Sequence, residues 1–171
     1  MVIPENLGGV RRVPAENLHV TLAFLGYTAD ERLPEVASAA ASAAAEVDPF
    51  RLAFAAAGRF PERGRPRVLW LAVAEGRETL LALGSAVARE LRVRGLRFDD
   101  RPLSPHLTLA RLPDTTSSAD ARAVAAAVDA LRPPRLETEV REILVMRSDL
   151  SRKGPTYTPQ WQLPLGGRGP G

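Results

Sequence analysis

The sequence predicts an α+β fold of two pseudo-symmetric lobes, each an antiparallel sheet with flanking helices, facing one another across a cleft. Three observations carry that prediction. One apolar, β-branched phrase occurs twice, as "HVTLAFLG" at residues 19–26 and "HLTLARLP" at 106–113, and each copy opens on one of the only two histidines. Each copy is followed by an alanine-rich stretch of helical composition. After each of these come two strand-like runs separated by turn residues. A repeat this long is not a solenoid, which stacks several short units. It reads as one lobe written twice, so that 1–171 forms a single bilobal domain.

The elements follow in order. "ADERLPEVASAAASAAAEVD" predicts the first helix, stopped before Pro49. "PFRLAFAAAGRF" and "RVLWLAVA" read as strands around the turn "PERGRP". "EGRETLLALGSAVARELRVRG" supplies a helix that joins the halves. After the second histidine phrase, "TTSSADARAVAAAVDALRPP" offers Ser, Thr and Asp as caps at its start and prolines at its end. "RLETEVREILVMRS" and "TYTPQWQLPL" then read as one strand each, joined by "RKGP". The glycine-rich tail, residues 166–171, is expected to be disordered.

Composition removes several classes of function. The absence of cysteine excludes disulfides, thiolate catalysis and Cys-ligated zinc. No apolar run reaches the roughly 18–20 residues of a membrane span, and "MVIPENLGGVRRVP" has no signal-peptide core, so a cytoplasmic location without membrane partners is expected. The net charge of +3 leans towards an anionic partner. Most of that lean is compositional, since Lys153 is the only lysine and Arg, Ala, Gly and Pro abound together. Arginine still matters locally, because its planar fork suits phosphate oxygens.

Strand alternation places the histidines. It puts His19, Thr21 and Ala23 on one face, with Val20, Leu22 and Phe24 on the other. It likewise groups His106, Thr108 and Ala110 opposite Leu107 and Leu109. Each phrase thus presents an imidazole and a hydroxyl while anchoring itself by aliphatics. With a usual pKa of about 6.5, one imidazole can accept a proton while the other delivers one. Thr hydroxyls can donate to the non-bridging oxygens of a phosphoryl group. This is a metal-free set for phosphodiester chemistry; a zinc site needs three or four ligands of matched spacing, and no third His or Cys exists.

The paired H-x-T-x motifs, with the phrases "RRVPAENLHVTLAFLG", "RPRVLWLAV", "RPLSPHLTLARL" and "ILVMRSDLSRKGPTYTP", resemble the 2H phosphoesterase superfamily. More closely they resemble its RNA 2′,3′-cyclic phosphodiesterases, also called 2′-5′ RNA ligases. The resemblance implies a bilobal fold with an active cleft between the lobes, and opening of an RNA 2′,3′-cyclic phosphate to a 2′-phosphate without metal or cofactor. Carried over, His19 and His106 are the catalytic pair and Thr21 and Thr108 bind the phosphate. By analogy His106 is the base and His19 the acid, although pseudo-symmetry makes the two formally interchangeable. Arg111 closes the second motif where the family often has arginine, while the first copy has Phe24. Regular alternation sets Arg111 on the face opposite His106, so it reaches a phosphate only past a bulge or the strand's end. Tyr157 is a candidate for stacking on a base, and Arg12 for meeting RNA backbone.

The resemblance also implies a strand and a helix ahead of the first motif, where only "MVIPENLGG" precedes "VRRVP". Either the start site is set too far downstream, or the first lobe lacks these elements and keeps an open sheet edge. A monomer is expected, with self-association through that edge at high concentration, a point that light scattering checks. The expected partner is RNA with a cyclic phosphate end, or a small cyclic nucleotide. Reverse 2′-5′ ligation uses the same groups. The competing reading is a binding module for phosphorylated RNA ends without turnover.

Overall fold

The computed structural model describes residues 10–151 and 154–166. Among the described residues the chain is α+β, with seven strands and three α-helices: β1 (Arg11–Arg12), α1 (Leu33–Ala44), β2 (Phe50–Phe60), β3 (Val68–Glu75), α2 (Arg77–Val93), β4 (His106–Arg111), α3 (Ser118–Ala130), β5 (Leu136–Val140), β6 (Glu142–Ser151) and β7 (Gly154–Pro164). Five strands form one sheet in the order β1-β4-β3-β2-β5, and β6 and β7 form a separate antiparallel pair. Among the described residues, no helix is long and apolar enough to cross a membrane.

The chain divides into two compact units, but the boundary does not fall between the sequence halves. One unit takes the segment ending at Val20, Leu52–Glu75 and Pro105–Thr138; the other takes Thr21–Arg51, Gly76–Ser104 and the chain from Glu139 onward. Thus β3 of the first half ladders with β4 of the second, and β2 of the first half lies beside β5 of the second. The expected single strand "RLETEVREILVMRS" is split at Arg141, with β5 in the five-stranded sheet and β6 in the hairpin.

In the first unit, α3 covers one face of the sheet. Its buried Ala121, Val124 and Val128 recur at helical spacing and meet Leu69, Ala110 and Leu112. Ser117 caps the helix, its hydroxyl oxygen accepting from the Asp120 backbone N–H at 3.0 Å. At the other end of α3, Arg59 of β2 forks onto Asp129, at 3.1 and 3.2 Å. The same guanidinium donates to the carbonyls of Pro61 and Gly64, bracing the turn after β2.

The hydrogen bond from Arg59 is the main reason that the Asp129 carboxyl sits below its ordinary range. A lowered folded-state pKa contributes stability above the ordinary carboxylate range and loses it as pH falls through the folded value. Asp129→Asn is therefore expected to lower Tm at neutral pH, and the gap to wild type should close on acidification. Thermal melts at pH 7 and pH 3 check it.

In the second unit, α1 and α2 pack on the hairpin. The small faces of Ala39, Ala40 and Ala43 admit Leu83, Val87 and Leu91 of α2, with Ile143 and Leu165 completing the core. Gly166, expected to start a disordered tail, is instead tied to the end of α1. Its N–H lies 2.8 Å from the Val47 carbonyl and 3.2 Å from that of Ala44. A φ of +71° suits glycine there, and a Cβ would crowd Asp48 and Pro49. The rest of the tail, and Arg152 and Lys153 of the expected "RKGP" turn, lie outside the described residues.

Candidate active site

The two histidine phrases fold differently. "HLTLAR" is β4, whereas no strand is assigned across residues 19–26. A strand is defined by its ladder, and among the described residues no strand pairs with that segment. Without a ladder the expected alternation fails. Leu22, Ala23 and Leu25 all pack against the second unit's core, and Phe24 is 63% exposed.

The second phrase holds its alternation for three residues and then breaks it. In register, His106 faces Ala72, Leu107 faces Leu71 and Thr108 faces Trp70; the ladder resumes with Ala110 opposite Leu69 and Arg111 opposite Val68. Leu109 is therefore the extra residue of a β-bulge. Residues opposite one another in register share a face, so the bulge turns Ala110 inward, onto the face of buried Leu69. The expected grouping of Ala110 with His106 is thus replaced. The same bulge returns Arg111 to the face of His106 and Thr108. Arg111 is exposed and has no carboxylate partner among the described residues.

Strand β1 adds a residue that the sequence reading passed over. Arg11 lies opposite Arg111, and Arg12, the residue singled out from the sequence, lies opposite Ala110. Like charges facing across a ladder repel one another. The signal was present in "VRRVP", but only the register distinguishes the two arginines.

The chain that leads to His19 is bonded to the strand that carries His106. After β1, the Val13 N–H donates to the Leu109 carbonyl at 2.8 Å, and a short 3-10 turn, Ala15–Asn17, precedes the histidine. His19 itself is exposed, and its Nδ1 lies 2.7 Å from the Asn17 carbonyl oxygen. A carbonyl only accepts, so Nδ1 carries the hydrogen. His106 sits among aromatics. Phe60 meets it edge-on, with ring centroids 5.2 Å apart and planes at 83°, and Trp70 lies 6.3 Å away. His19, His106, Thr108 and Arg111 belong to the first unit; Thr21 opens a segment of the second. Tyr157, half-buried on β7 opposite Ser148, also belongs to the second. No three His, Asp or Glu side chains among the described residues form a metal-ligating cluster.

The sequence profile of the 2′-5′ RNA ligase superfamily matches residues 7–152. An RNA 2′,3′-cyclic phosphodiesterase of Archaeoglobus fulgidus is 34% identical over 155 residues, which is 88% of this chain and 81% of that one. The protein of that name from Thermus thermophilus is 37% identical over 158 residues, covering 88% and 73%. Among solved structures, one from Thermus thermophilus superimposes with a TM-score of 0.72 at 32% identity, over 96% of this chain and 87% of that one. Escherichia coli LigT complexed with 3′-AMP gives 0.69 at 27%, over 96% and 84%. The match across most of the chain, both histidine phrases included, establishes that the protein belongs to the 2′-5′ RNA ligase superfamily.

Proposed function

We propose that this protein opens the 2′,3′-cyclic phosphate at RNA 3′ ends to a 2′-phosphate, by two-histidine acid–base chemistry that requires no metal. The observation that carries this reading is the second H-x-T phrase, where register and bulge gather His106, Thr108 and Arg111 on one sheet face in a member of this family.

In the proposed reaction His106 takes a proton from water as its oxygen attacks phosphorus. The bond from phosphorus to the 3′ oxygen breaks, and His19 Nε2 delivers a proton to that oxygen. The products are a 2′-phosphate and a 3′-hydroxyl. Thr21 and Thr108 donate to the non-bridging oxygens as charge builds on them. Arg111 adds a guanidinium fork to the phosphate. Tyr157 is proposed to stack on a base. A 5′-hydroxyl in place of water would give a 2′-5′ linkage by the same proton transfers. Small cyclic nucleotides present the same phosphorus centre, and a monomer working in the cytoplasm is the proposed context.

A single-turnover experiment separates catalysis from binding alone. With enzyme in excess over a short RNA bearing a 2′,3′-cyclic phosphate, the reading predicts full conversion in one exponential phase. Retained binding without product would favour a module that only holds phosphorylated RNA ends.

A further inference from the structure

The surroundings of His106 carry one inference beyond this, which rests on the reading of His106 as the proton acceptor. On β2 and β3, Gly58 faces Trp70 and Phe60 faces Val68, so Gly58, Phe60 and Trp70 share the sheet face of His106. The indole lies flat across Gly58. A Cβ there would fall well inside van der Waals contact of indole Cη2 and Cζ2. The Trp70 ring in turn packs on Phe60, centroids 4.9 Å apart and planes 33° from parallel, and Phe60 meets His106 edge-on. The indole N–H is buried with no hydrogen-bond partner among the described residues. A buried donor left unpaired is costly, so this ring is held by packing rather than by a directional bond.

We infer that Gly58, Trp70 and Phe60 act as a positioning device that sets the direction of the His106 imidazole. Gly58 lets the indole lie down, the indole fixes Phe60, and Phe60 restrains the rotation of His106 about its side-chain bonds. A general base must meet its proton within hydrogen-bond reach and in line. An imidazole free to swing loses rate rather than substrate affinity.

The test uses the full chain with 13C-labelled histidine, whose two sets of ring signals are assigned with His19→Ala. Aromatic rings at these distances shift the His106 ring protons. In Phe60→Leu and Gly58→Ala the His106 signals should move towards free-histidine positions while those of His19 stay in place. On a cyclic-phosphate dinucleotide, kcat should fall on the order of tenfold to a hundredfold with KM nearly unchanged. Phe60→Leu keeps an apolar side chain, and so serves should Gly58→Ala fail to fold. Trp70→Phe, which keeps a ring and loses no hydrogen bond, should be the mildest variant. Unmoved His106 signals, or an unchanged kcat, in folded Phe60→Leu overturn the inference. An inactive wild type would sink the proposed function instead, and the His106 signals alone would then decide the positioning.

Discussion

His106→Ala is expected to lower the rate of cyclic phosphate opening by about 10²–10⁴-fold, the usual worth of a positioned acid or base. The fold should survive, because His106 stands on the sheet face away from α3 and lends nothing to the core of Leu69, Ala110 and Val124. His19→Ala should fall in the same range. The double variant should be little worse than either single one, since residues acting as a unit are non-additive. Quenched-flow or gel assays of a short cyclic-phosphate RNA measure all of these. A His106→Ala protein that keeps its rate would remove the basis for the proposed mechanism.

Leu69→Ala should be the largest purely structural loss. Leu69 is 1% exposed, pairs with Ala110 just past the bulge, and packs under α3. Removing a buried Leu side chain costs about 2–5 kcal/mol, depending on how far the site collapses. Urea unfolding should report that loss as a lower midpoint with the slope unchanged. Under conditions where the variant is folded, its activity per molecule should stay close to that of the parent. The pairing of stable but inactive His106→Ala with unstable but active Leu69→Ala separates chemistry from scaffold. If Leu69→Ala unfolded no more easily than wild type, the packing of α3 on this sheet would need revision.

Much of this was legible in the residues, for reasons that differ by element. The alanine-rich helices announced themselves through propensity, and Ser117, one of the capping residues offered at that end, caps α3, whereas α1 closes at Ala44, before the chain reaches Pro49. The strands β2 and β3 stood out as apolar runs around a turn. Their partner was not legible, because ladder partners are long-range choices that local pattern does not encode. That is why the sequence halves became the expected lobes, while the actual units trade segments. The residues say only that Arg111 must lie past a bulge or the strand's end to share the face of His106; the register supplies the bulge and its position, Leu109. Arg11 was missed beside Arg12, since parity in a two-residue strand is visible only once its partner is known. The first histidine phrase misled for the opposite reason. Its residues favour a strand, but no neighbouring strand among the described residues completes the ladder.

The central claim is the identity of the bond that breaks. A short RNA ending in a 2′,3′-cyclic phosphate, incubated with the purified protein in EDTA, should yield a 2′-phosphate, resolved from the 3′-phosphate by chromatography against standards. The 2′-phosphate should form at full rate in chelator. A 3′-phosphate product, or activity that appears only when a divalent metal is restored, would contradict it.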